Sequence, residues 1–152
     1  MIQRILVPVD GSESADKALD FAIDLAERYS ASILLLSVVP SMVIPLILEP
    51  SPGVMTIPPE AMLSYEKEVE SRYERVLSKA QKKTRKSKAH LEVQKKLVKG
   101  QPADMIVETA REGNFDLIII GSHGLSGIKE FFLGSVSNRV AHQASCPVLI
   151  VK

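Results

Sequence analysis

At 152 residues the chain has the length of one domain, enough to bury a single hydrophobic core without disulfide or metal staples. Its 19 lysines and arginines stand against 18 aspartates and glutamates, so no overall field draws it to nucleic acid or to an anionic membrane. The lone Cys146 rules out an internal disulfide and fits a reducing compartment, and no apolar run reaches the length of a secretory signal core or a membrane span, which points to a cytoplasmic protein.

The first predicted element is Ile5 to Val9, a short apolar run of the kind buried on both faces of a parallel sheet. Asp10-Gly11-Ser12 closes it, and Asp10 there is either a turn residue before a helix or a functional carboxylate at a strand end. Ala15, Ala18, Ala22, Leu25, Ala26 and Tyr29 recur at three- and four-residue steps, predicting a helix whose small side chains pack closely on the sheet, with Ser12 or Ser14 capping its start. Ile33 to Val39 reads as the second strand.

Between Pro40 and Pro59, six prolines alternate with apolar residues such as Ile44, Leu46, Ile47, Leu48, Met55 and Ile57. Solvated linkers are polar, so this insertion at about 40–59 reads as a segment folded over a crevice, a contact with another subunit, or a small core of its own. A second helix begins near Pro59 and runs past Ala80 on a stripe of Tyr65, Val69, Tyr73, Val76, Leu77 and Ala80. Its acidic start and basic end complement the helix dipole, and no aromatic residues interleave with the basic run to stack on bases, so it reads as a solvated helix end. Leu91 to Val98 is the third strand, and Gln101-Pro102-Ala103-Asp104 starts a third helix that turns Met105, Ile106, Thr109 and Ala110 inward and ends near Gly113. Leu117 to Ile120, a helix after Ser135, and Val148 to Val151 complete an alternation of strands and helices. That alternation predicts an α/β fold, an open parallel sheet with helices on both faces, in one domain spanning 1–152. Cys146, beside Pro147 where the last strand starts, reads as a buried small side chain.

The most informative segment is Gly121-Ser122-His123-Gly124, with Gly134-Ser135 following after nine intervening residues. It lies where a buried strand gives way to a helix, the place where parallel sheets bind ligands. Glycines 121, 124 and 127 are expected to take positive φ and let backbone approach a ligand, while Ser135, Val136 and Ser137 offer helix-start amides and hydroxyls to an anion. The other reading is a plain flexible connection. The spacing matches neither G-x-x-x-x-G-K-[ST] nor G-x-G-x-x-G. His123 suits a phosphate donor or a solvent-facing loop residue, and Lys129 is a basic side chain inside the loop. His90 and His142 have no partners at metal-ligand spacing.

The pattern G-x2-G-x9-G-S, with Val7-Pro8-Val9-Asp10-Gly11-Ser12 at one end and Cys146-Pro147-Val148-Leu149-Ile150-Val151 at the other, resembles the universal stress protein family over essentially the whole chain, and its glycines resemble the ATP-binding branch. The resemblance implies a Rossmann-like, adenine nucleotide alpha hydrolase-like sheet of five strands in the order 3-2-1-4-5. It also implies an ATP site made by Pro8, Val9, Asp10, Val38, Ile120, Gly121, Ser122, His123, Gly124, Gly134, Ser135, Val136 and Ser137. In that site Val38 would meet adenine through its backbone, and Gly124, Gly134, Ser135 and Ser137 would hold phosphates. Asp10 would lie near the ribose or a Mg²⁺ (or Mn²⁺) ion shared with the phosphates. A homodimer through Val148–Val151 and a protein partner of unknown identity are implied as well. The expected function is a nucleotide-dependent switch or sensor in the stress response with at most slow hydrolysis. A slow ATPase or nucleotidyl transferase and a dimeric scaffold without nucleotide are the alternatives.

Overall fold

A computed structural model describes residues 1–41, 58–125 and 133–152. The Pro40–Pro59 insertion falls almost wholly outside the described residues, as do Gly127 and Lys129. The strands are β1 (Arg4–Pro8), β2 (Ser32–Pro40), β3 (Val93–Gly100), β4 (Leu117–Gly121) and β5 (Val148–Val151), and they form one parallel sheet in the order β3-β2-β1-β4-β5. The order expected from the resemblance is therefore the observed one. The helices are α1 (Glu13–Tyr29), α2 (Pro59–Ser87), α3 (Pro102–Glu112) and α4 (Ser135–Gln143). Helices α1 and α2 cover one face, where Ala18, Leu19, Ala22, Ala26, Leu77 and Ala80 pack on Ile5, Val7, Ile33 and Leu35. Helices α3 and α4 cover the other, where Ala103, Ile106, Ala110 and Val140 meet Leu6, Leu36, Ile118 and Ile120. Alternate residues of the inner strands thus serve opposite cores, which is why these strands read as unbroken apolar runs.

Helix α1 starts where Ser12 Oγ accepts from the amide of Ala15 at 3.2 Å, and it ends on Ser30 in the left-handed region, φ 54°. Its alanines let it lie close to the sheet, whereas Tyr29, expected on the same stripe, is half exposed at the helix end. Helix α2 is 29 residues long, about 43 Å at 1.5 Å per residue. Strand β2, with nine residues, spans only about 30 Å. Only the later part of α2 is sunk into the core, through Leu77, Ala80 and Thr84, while Leu63 and Tyr65 are exposed. The predicted stripe holds from Tyr73 onward and fails at Tyr65, because the helix outruns the sheet that would cover it.

Ion pairs tie α2 to its neighbours: Lys83 to Asp16 at 2.9 Å and Asp20 at 2.6 Å, Lys88 to Glu27 at 2.6 Å, and Lys99 of β3 to Glu70 at 2.9 Å. Strand β3 begins two residues later than the apolar run predicts, because Leu91 is buried in the turn before it and the strand follows β2 in register as far as Pro40 opposite Gly100. No helix among the described residues is long and apolar enough to cross a membrane.

Candidate functional site

Strand β1 leads by way of α1 to β2 on one side, and β4 leads by way of α4 to β5 on the other. Loops leaving the carboxyl ends of β1 and β4 therefore part, and between them opens a cleft of about 280 Å³. Leu36, Val38, Ile106 and Ile120 give it an apolar side; Asp10, His123, Gly124, Ser135 and Ser137 give it a polar one. Pro8, Val9, Gly121, Gly134 and Val136 also line it. Of the expected site residues only Ser122 stands behind the wall. It is buried, its amide donates to Val151 O at 2.7 Å, and its carbonyl accepts from Gly134 N at 2.8 Å and Ser137 Oγ at 2.9 Å. Through the two peptide groups that flank it, this one residue binds the end of β4 to β5 and to the start of α4.

Three helix starts border the cleft: α3 begins on Pro102, which has no amide to offer, with acidic Asp104 in its first turn, and the other two, α1 and α4, differ from one another. At α1 the amides of Ala15 and Asp16 are taken by Ser12 Oγ and Ser12 O, and the carbonyl of His123 is set against this end by hydroxyl donors, Ser12 Oγ at 3.3 Å and Ser14 Oγ. At α4 the cap is Gly134, which supplies no side-chain acceptor, and Ser135 and Val136 line the cleft. An anion in the cleft therefore finds its amides at α4, with the positive end of that helix dipole behind them. Ser137 Oγ donates inward, to Ser122 O and to Gly134 O at 3.0 Å, so it shapes the turn as well as lining the cleft.

The glycines act by closeness rather than by positive φ. Among the described glycines only Gly11, φ 88°, and Gly100, φ 153°, have positive φ, so the expectation for Gly121 and Gly124 is corrected. A Cβ at Gly121 would sit 2.5 Å from Ser14 Oγ and 2.6 Å from Ala15 N, so this glycine lets β4 abut the start of α1. A Cβ at Gly124 would lie 3.1 Å from Asp10 Oδ2, which places Gly124 over the carboxylate. Asp10 combines both roles considered for it: Oδ1 accepts from Ser12 N at 2.9 Å, closing the turn, and the side chain lines the cleft. His123 is held at both ends, its Nδ1 within 2.9 Å of Ser122 Oγ and its amide donating to Ser14 Oγ at 3.3 Å.

Other lining residues were not legible as such. Tyr73 reaches the cleft from α2, and its hydroxyl titrates above the usual tyrosine range, first because burial disfavours the phenolate and then because Asp10 is nearby. In the sequence it is one more member of an apolar stripe. Pro102 and Ile106 come from the start of α3, and nothing in their local pattern marks a site. Ser12 and Ser14 read as helix caps, and only the fold reveals that they also grip His123. Cys146 is partly exposed rather than buried as expected, and the burial it does have is the main cause that pushes its thiol up. Among the described residues no three His, Cys, Asp or Glu side chains are grouped to hold a metal, so a cation here would take Asp10 and oxygens of its own ligand.

The model of the universal stress protein family matches residues 1–152. Universal stress protein YxiE of Bacillus subtilis is 34% identical over 152 residues, covering 100% of both chains. Among solved structures, a universal stress protein UspA from Lactobacillus plantarum superposes with a TM-score of 0.78 at 22% identity, covering 99% of this chain and 97% of that one. A universal stress protein solved in complex with cAMP superposes at 0.70 with 26% identity, covering 99% and 97%. With its motifs in place, its sheet in the expected order and a family model matched from end to end, the chain belongs to the universal stress protein family.

Proposed function

We propose that the cleft binds an adenine nucleotide, with ATP and Mg²⁺ as its full complement, and that the protein works as a nucleotide-dependent switch in the stress response. The observation that carries this reading is the joining, in one cleft, of an apolar slot between Val38, Ile106 and Ile120 with the uncapped start of α4 beside Gly124. A flat base suits the first and a phosphate chain the second. The cAMP complex of a universal stress protein of the same fold supports an adenine nucleotide as the ligand. Mg²⁺ fits the donors present, since Asp10 is a carboxylate at the polar end and this ion commonly takes one or two carboxylates with phosphate oxygens. When bound, the ion would neutralise phosphate charge beside that carboxylate.

Binding is favoured over turnover. No lysine or arginine is found among the described residues lining the cleft, and rapid phosphoryl transfer draws on such a side chain at the transferred group in addition to a metal ion. Pairing of two copies through β5 and a further protein partner complete the proposal, with cytoplasmic residence in keeping with the single thiol. Titration calorimetry of nucleotide-stripped protein with ATP and Mg²⁺, with ADP and GTP as competitors and product measured in the same cell, tests it. Saturable binding that prefers adenine, with little product, is expected; absence of binding overturns the reading, and rapid product formation replaces the switch with an ATPase.

A further inference from the structure

We infer that Ser12 and Ser14 are positioning residues, which turn the His123–Gly124 peptide so that its amide serves the phosphate chain. The inference rests on the adenine-nucleotide reading above and adds to it the device that sets one phosphate donor. Both hydroxyls donate to the same carbonyl, that of His123, and so occupy both of its lone pairs. Ser14 Oγ also accepts from the His123 amide at 3.3 Å, holding the residue at its two backbone ends. The carbonyl is thereby drawn to the positive end of α1, where a helix start favours it.

A peptide group has two poles. The bond between His123 and Gly124 is trans, since no cis peptide is found among the described residues, so the Gly124 amide points opposite to the His123 carbonyl. With the carbonyl tied to α1, the amide is turned off that helix, and Gly124 itself lines the cleft. The same tie has a second effect. It covers the start of α1 with an acceptor, so that of the two helix starts beside this loop α4 rather than α1 receives an anion. Without the hydroxyls the peptide is free to flip, which would aim a carbonyl oxygen at the phosphates.

Ser14→Ala is the cleaner variant, because Ser12 also caps α1. The full chain, stripped of nucleotide, is titrated with ATP and, separately, with adenosine. If the serines position a phosphate donor, S14A weakens ATP binding by about tenfold, the worth of one charge-assisted hydrogen bond, and leaves adenosine within about twofold. Proton–nitrogen NMR of the wild type supplies a readout that needs no variant: the Gly124 amide resonance moves downfield with ATP and not with adenosine. Equal losses for both ligands in S14A, an unchanged ATP affinity, or a Gly124 amide indifferent to ATP would each overturn the inference while the adenine site stands. A wild type that binds neither ligand removes the nucleotide reading itself and this inference with it.

Discussion

Two glycines three residues apart, Gly121 at the end of β4 and Gly124 in the loop that follows, carry opposite burdens, and substitutions separate them. Alanine at Gly121 would drive its Cβ into the backbone of Ser14 and Ala15. Overpacking of this kind costs about 1–3 kcal/mol, so Gly121→Ala is expected to lower the urea midpoint clearly, with affinity lost only as the fold is lost. At Gly124 the nearest obstacle is the end of the Asp10 side chain, 3.1 Å away, and the position is exposed. Gly124→Val is therefore expected to fold with a near-normal midpoint while losing nucleotide affinity by more than about tenfold, because the branched side chain displaces the carboxylate and fills the cleft mouth. A matched pair of urea melts and ATP titrations reads both outcomes. The glycine spacing pointed to this cleft in the sequence but not to this division of labour, since nothing in G-x2-G tells which glycine opens on the cleft and which abuts a helix. Far from the cleft, Asp116 accepts from the amides of Gln3 at 2.8 Å and Arg4 at 2.9 Å, and these bonds hold its carboxyl below the usual aspartate range. A depressed folded pKa gives stability that is present above the unfolded value, about 3.9, and is lost as pH falls through the folded value. Thermal midpoints of Asp116→Asn should accordingly lie below wild type at pH 7 and approach it as pH falls below the unfolded aspartate value; parallel curves would show that the bonds do not depend on the charge.

The inner strands declared themselves because burial on both faces leaves no room for polar residues: Ile118, Ile119 and Ile120 serve two cores in turn. Helix α1 was as plain, since the close approach of a helix to a sheet selects alanine at a fixed period. What escaped the sequence was long-range. Tyr73 reads as a core residue and stands at the cleft, and Leu91 reads as strand and lies in a turn, because the end of an element depends on what partner runs alongside it. Helix α2 shows the same limit, its period continuing past the sheet edge so that Tyr65 meets solvent. The difference is measurable along one helix. Leu77, fully buried, should cost about 2–5 kcal/mol when cut to alanine, whereas Tyr65→Ala should stay within about 0.5 kcal/mol in the same denaturation series. Comparable losses at the two sites would mean that the exposed part of α2 is covered in solution.

At the scale of the molecule, the two edges of the sheet are treated differently. Strand β3 carries Lys95, Lys96 and Lys99 along one edge, and lysines discourage strand-to-strand association. Strand β5, at the other edge, reads Val148-Leu149-Ile150-Val151 with no charge within it. Its inward bonds are fixed: the Ile118 amide donates to Pro147 O at 3.0 Å and the Ser122 amide to Val151 O at 2.7 Å. Since backbone groups alternate sides along a strand, Leu149 faces β4 with them, and the amides and carbonyls of Val148 and Ile150 face outward. That outward row is the one a second copy would use. Proline at position 150 removes an outward donor and no bond to β4, and edge strands tolerate it for that reason. If two copies join through β5, Ile150→Pro should shift the mass measured by light scattering from dimer to monomer while the far-ultraviolet circular dichroism is preserved. A wild type that is monomeric at the highest concentration reached, or a proline variant that stays dimeric, would place the association elsewhere. The same edge bears on the cleft, because Val151 O holds the amide of Ser122, and the carbonyl of that residue holds Gly134 and Ser137. A monomeric Ile150→Pro protein should therefore bind ATP more weakly than wild type if pairing stiffens β5, and equally well if the edge serves assembly alone.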